Sequence, residues 1–161
     1  TSGDGRGILS SRIYSSGEHD AMLYLSDDNG ADIKYGYREP GEKIPHRTVQ
    51  MRGNEVFKIA VHSMERASLE VMADAGLGKE DIDVVIPHQA NIRIIKTLAS
   101  RLGVDMERVY INVDRFGNTS SGTIPLALTE ARDKGMVKRG DTVLMPVFGG
   151  GLTWGVTLMR W

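Results

Sequence analysis

The sequence predicts a layered α/β fold, and three observations lead there. From Gly53 onward some stretches carry apolar residues at helical spacing, while others are short β-branched blocks. The two kinds alternate, in the order helix, strand, helix, strand, helix, strand, strand. Glycine, proline or asparagine punctuates the junctions between them.

Each element can be justified in turn. "GILSSRIYS" (Gly7 to Ser15) and "AMLYLSDD" (from Ala21) read as strands or extended segments. "DNGADIKYGYREPGEKIP" is rich in Gly, Pro and charge, so it is expected as surface loop. Val56, Ile59, Ala60, Met64, Ala67 and Val71 then recur on one helical face, and the helix is expected to stop near Gly76. "IDVVIP" is short, β-branched and apolar on both sides, as a buried strand must be. Asn91 is an N-cap for a helix carrying Ile92, Ile95, Leu98, Ala99 and Leu102, with Gly103 just past its end. "RVYINV" reads as a further short strand. "TIPLALTEARDKG" reads as a helix with Pro125 in its first turn. "DTVLMPVF" and "LTWGVTLMRW" are strands joined by a glycine break, and so are candidates for antiparallel pairing.

Composition bounds the function classes. The chain has 161 residues, 40% of them apolar and 25% charged, with a formal net charge of −1. That suits one domain with a core and gives no charge excess for nucleic-acid binding. No apolar stretch is long enough to cross a bilayer, so a soluble, cytoplasmic protein is expected. Cysteine is absent, which excludes disulfides, thiolate metal sites and a cysteine nucleophile within this chain. The opening "TSGDGRG" reads as the interior of a longer chain.

Three polar or glycine-rich breaks each follow a strand: His88 to Asn91, Asp114 to Ser121, and Phe148 to Gly151. In open α/β sheets ligands bind beyond the carboxyl ends of strands, so the three breaks are candidates for one pocket. Taken singly, His88 is a strand-end histidine, Asn118 a turn asparagine in a left-handed conformation, and "FGGG" a turn. Together they have chemical sense. A neutral imidazole N–H and a carboxamide NH2 can donate to one carbonyl oxygen and stabilise an enolate or oxyanion there, and glycine amides can serve a second oxyanion. Ser120 and Ser121 near Asn118 leave a Ser-His hydrolase as a formal rival, weakened by the absence of a G-x-S-x-G elbow.

"MRGNEVFK", "PHQANIRI", "DRFGNTSSGTIPLAL" and "FGGGLTWG", in this order and spacing, resemble β-ketoacyl-acyl-carrier-protein synthase III, from about Met51 to the C-terminus. The resemblance implies a thiolase-type fold of two similar halves. Residues 46–161 would form the C-terminal half, with helices packed on a mixed five-stranded sheet. Residues 1–45 would be a strand pair and loop belonging to, or leading from, a missing N-terminal half. It implies decarboxylative condensation of an acyl-CoA starter, often acetyl-CoA, with malonyl on acyl carrier protein, initiating type II fatty-acid synthesis. His88 and Asn118 match the histidine and asparagine of the family's Cys-His-Asn set, whose cysteine belongs to the other half. Gly150 would offer an oxyanion amide. Gly53, Asn54, Phe57, Ala90, Asn91 and Ile94 would contact the CoA or phosphopantetheine arm. Lys58 and Arg93 would help dock acidic acyl carrier protein, with Lys96 and Arg101 on the same helix as Arg93. No metal and no cofactor are expected, the CoA and phosphopantetheine thioesters being substrates. The expected partners are the missing half, acyl carrier protein and a second copy in a homodimer. The rival classes are a non-catalytic CoA- or carrier-binding module and a related condensing enzyme of secondary metabolism or long-chain ketone synthesis. The chain alone is expected to lack condensing activity, and to stay with its other half or dimerise to cover an apolar face. His19, His46 and His62 match no motif. His62 is expected at the surface, and Trp154 and Trp161 as strand aromatics.

Overall fold

A computed structural model describes residues 5–25 and 49–161. The expected loop before Pro45, His46 and the boundary at residues 45/46 lie outside the described residues. Six strands are present among the described residues: β1 (Gly7–Ser15), β2 (Leu23–Leu25), β3 (Val49–Met51), β4 (Val84–Val85), β5 (Thr142–Gly149) and β6 (Thr153–Arg160). Four helices accompany them: α1 (Gly53–Asp74), α2 (Ile92–Leu102), α3 (Val113–Phe116) and α4 (Thr123–Asp133).

The main sheet has the order β1-β6-β5-β4. β5 and β6 form an antiparallel hairpin across the glycine break, as expected, and β4 lies parallel to β5, so the sheet is mixed. The expected fifth strand, "RVYINV", is reduced to a single parallel bridge between Val109 and Val85. A 3-10 turn at Met106–Arg108 occupies its start, and after Asn112 the chain coils into α3. The sheet therefore has four strands rather than five.

A second correction concerns the N-terminal strands, which do not pair with each other. β1 is the edge of the main sheet, antiparallel to β6, while β2 pairs with β3 in a separate two-stranded sheet. A 3-10 segment, Gly17–Met22, lies between them. His19 lies in that segment. Where β1 crosses Gly155, a Cβ would sit 2.9 Å from the Arg12 carbonyl oxygen, so the close approach of the two strands needs glycine there.

Alternation along the strands sends side chains to opposite faces. Val85, Leu144, Phe148, Val156 and Leu158 join the core beneath α1 and α2. Val84, Ile86, Val143 and Met145 join a second core with Ala127 and Ala131 of α4. The sheet is thus covered on both faces, which explains why "VVI" has no polar side. α1 buries Val56, Ala60, Met64, Ala67 and Val71, the face read from the sequence, with Ile59 partly buried beside it. α2 starts where Asn91 Oδ1 accepts the Arg93 N–H at 2.8 Å. It ends at Gly103, whose φ of 65° is the left-handed cap. Trp154 stacks between Tyr14 and Phe148 at 5.6 Å and 6.4 Å, and Trp161 packs against the second core.

Candidate functional site

β4 delivers His88. The parallel ladder runs past the strand itself: Ile86 N–H donates to Leu144 O and His88 N–H to Pro146 O, at 2.8 Å and 2.9 Å. The histidine is therefore held by its own backbone at the carboxyl end of the sheet. Its half-buried ring has Nδ1 2.6 Å from Thr123 Oγ1, at the start of α4. Desolvation lowers its pKa below the ordinary 6.5, which favours the neutral imidazole.

Asn118 follows α3. Its Oδ1 accepts the Ser120 N–H at 2.9 Å. An N–H can only be met by the amide oxygen, so this bond orients the carboxamide and leaves its NH2 as the outward donor. The left-handed residues here are Gly117 (φ 64°) and Ser120 (φ 53°); Asn118 is not one of them, contrary to its isolated reading as a left-handed turn residue. The local turn is built to aim the asparagine amide.

The segments carrying His88 and Asn118 are clamped by Gln89, which is 1% exposed. Its Nε2 donates to Pro87 O at 2.8 Å and Tyr110 O at 3.1 Å, while its Oε1 accepts from Asn112 N and Val113 N at 2.9 Å and 3.2 Å. All four hydrogen-bonding positions of the amide are filled. Asn112 then donates its side-chain amide to Glu130, which also pairs with Arg115 at 2.6 Å. The sequence reading missed Gln89 and Thr123. The available signals were a polar residue straight after an apolar strand and a threonine opening a helix.

One cavity of about 950 Å³ opens at this end of the sheet. His88, Asn118 and Gly150 line it, as do Gly53, Asn54, Phe57, Ala90, Asn91 and Ile94, and also Lys58 and Arg93. The residues picked out for catalysis, for the pantetheine arm and for docking thus line a single hollow, whereas Ser121, Lys96 and Arg101 do not. Asn91 both caps α2 and faces the cavity. Arg93 holds its guanidinium 5.4 Å from the Phe57 ring centroid, joining α1 to α2 at the rim. Leu23, Val49 and Met51 close another side, a contribution that was not legible because it depends on β2 pairing with a strand far from it in sequence. Lys96 is exposed, whereas Arg101 is tied to Glu65 at 2.8 Å and is no free docking charge. His62 is exposed, as expected, and with His19 lines a separate hollow beside Trp154.

With this geometry in view, comparison with known proteins is decisive. The family described as 3-oxoacyl-(acyl-carrier-protein) synthase III C terminal matches residues 72–161. The chain belongs to the 3-oxoacyl-(acyl-carrier-protein) synthase III family. β-Ketoacyl-acyl-carrier-protein synthase III of Methylococcus capsulatus is 48% identical over 155 residues, 96% of this chain and 46% of that protein. That of Desulfotalea psychrophila is 44% identical over 158 residues, 97% of this chain and 47% of its own length. The crystal structure of 3-oxoacyl-acyl-carrier-protein synthase III from Aquifex aeolicus superimposes with a TM-score of 0.86 at 42% identity, covering 100% of this chain and 46% of that one. The expected thiolase-type half is thereby borne out. The chain spans about half the length of the synthase III relatives it matches.

Proposed function

We propose that this chain is the half of a 3-oxoacyl-acyl-carrier-protein synthase III that stabilises the enolate and receives the phosphopantetheine arm. The observation that carries the reading is the convergence of His88 and Asn118 on one cavity, with the asparagine's oxygen oriented by the Ser120 N–H. Two N–H donors of this kind suit an oxygen that becomes negative during reaction.

The nucleophilic cysteine comes from the other half and takes the starter acyl group from CoA, acetyl being the simplest case, with release of the CoA thiol. Malonyl on acyl carrier protein then enters along Phe57, Asn91 and Ile94. Its C–C bond to the carboxylate breaks, carbon dioxide leaves, and the electron pair becomes the enolate of the remaining thioester. His88 and Asn118 donate to that thioester oxygen. The enolate carbon attacks the acyl-cysteine carbonyl, and the Gly150 N–H donates to the tetrahedral oxyanion before the cysteine thiolate departs. Every electron is supplied by the substrates, so no metal or redox cofactor is required. Lys58 and Arg93, exposed at the rim, offer positive charge to acidic carrier protein. The whole protein is a cytoplasmic homodimer on this reading, and among the described residues no helix is long and apolar enough to cross a membrane.

The test separates two half-reactions in the chain rejoined to its N-terminal half. His88→Ala is expected to load radiolabelled acyl groups from acyl-CoA at close to the unsubstituted rate and to lose condensation by about 100-fold. Equal loss of both steps would refute the assignment of His88 to the enolate.

A further inference from the structure

An imidazole that donates into the cavity must carry its hydrogen on the correct nitrogen, and neutral histidine has only one to place. Thr123 is 2% exposed, and among the described residues its Oγ1 has His88 Nδ1, 2.6 Å away, as its one polar partner. Two arrangements fit that distance. In one, Nδ1–H donates to Thr123 Oγ1. The threonine hydroxyl hydrogen is then buried with no acceptor, and the bare Nε2 lone pair is what His88 offers to a thioester oxygen. In the other, the hydroxyl donates to Nδ1, and Nε2 carries the hydrogen. Leaving a buried donor unmet is disfavoured strongly enough to select the second arrangement by about 5- to 150-fold.

We propose that Thr123 is a positioning residue that fixes His88 in the Nε2–H tautomer by donating its hydroxyl hydrogen to Nδ1. The cavity then has two donors with the same logic. The asparagine's oxygen is engaged by the Ser120 N–H and the histidine's bare nitrogen by the Thr123 O–H, so each has an N–H left over for the substrate. α4 thereby has a role beyond packing, because its first residue sets the polarity of a ring on another element. The proposal rests on the enolate reading only for its consequence; the tautomer itself is a property of this chain without substrate.

The experiment is a long-range 1H–15N correlation spectrum of this chain rejoined to its N-terminal half, without substrate and with 15N-labelled histidine, at about pH 8 where imidazoles are neutral. The His88 signals are assigned by their loss in His88→Gln. The expected result is a protonated Nε2 and a bare Nδ1, retained in Thr123→Ser and replaced by a mixture of tautomers in Thr123→Val. A protonated Nδ1 in the unsubstituted chain overturns the proposal, and so does a single unchanged tautomer in a folded Thr123→Val. Should Thr123→Val fail to fold, the unsubstituted and serine spectra still decide. Condensation assays that contradicted the enolate reading would leave this spectrum unaltered, so the two failures are distinguishable.

Discussion

Asn91 carries two duties on one side chain, and substitution can part them. Its Oδ1 caps α2 through the Arg93 N–H, and the residue also faces the cavity. Asn91→Asp keeps a capping oxygen and suits the helix dipole, while Asn91→Ala removes the cap at a cost of about 1 kcal/mol. Denaturant titration is expected to show the alanine variant less stable by that amount and the aspartate variant unchanged. Both are expected to raise KM for the CoA thioester with little change in kcat, since both remove the amide hydrogens. His88 supplies a second residue-scale prediction. Its pKa is lowered by burial, so near the ordinary 6.5 the unfolded chain binds a proton that the folded chain does not. The stability contributed by the neutral ring is present above that pH and declines as pH falls through it, until the folded ring also protonates. An NMR titration of His88 should give a midpoint below 6.5; a midpoint above it would contradict the burial argument. The same neutrality keeps the ring a donor of unchanged charge across the working pH range.

Elements are held in place here by polar clamps that connect their ends. Gln89 joins the end of β4 to the start of α3 through four hydrogen bonds, so Gln89→Leu strands two buried N–H groups and two carbonyls. At about 1–3 kcal/mol for each unmet group, the loss should reach several kcal/mol in chemical denaturation. Glu130 anchors the other end of α3. The Arg115 hydrogen bond, and after it the Asn112 amide, lower its pKa to about 2 from 4.5. This contribution is fully present above pH 4.5 and is lost as pH falls toward 2, so the melting-temperature gap between the unsubstituted chain and Glu130→Gln is expected to close over that window. Helices were the most legible elements. Asn91, Gly103 and the apolar face from Val56 to Val71 declared their ends and their buried side, because capping and periodicity are local. Strand partners were not legible. Nothing near Gly7–Ser15 announces that its partner is β6, and "RVYINV" looks like a strand although only Val109 bridges. The positions of His88, Asn118 and Gly150 at breaks in the chain could be read, whereas Thr123 and Gln89, which orient them, act through contacts 35 and 21–24 residues away in sequence.

At the scale of the whole molecule, several strand residues that ought to be covered are not. Ile13 is 79% exposed on β1, and Val49 and Met51 are 69% and 57% exposed on β3. Exposed apolar residues on strand surfaces, in a chain about half as long as its relatives, fit a surface made to meet the other half. The chain alone is expected to self-associate in light scattering and to become a single defined species when the N-terminal half is supplied. A stable, monodisperse monomer at high concentration would contradict that. The proposed docking of carrier protein belongs to this scale as well. Lys58→Glu is the cleaner probe, because reversing Arg93 also removes its stacking on Phe57. It is expected to weaken carrier-protein binding in a salt-sensitive way and to spare acylation from CoA. The account depends most on His88 and Asn118 serving one oxygen, and a double-substitution cycle on malonyl-thioester decarboxylation in the rejoined protein tests that directly. His88→Ala and Asn118→Ala are each expected to slow decarboxylation by about 100-fold, with the double variant well short of the product of the two losses. Decarboxylation at the unsubstituted rate in either single variant would contradict it.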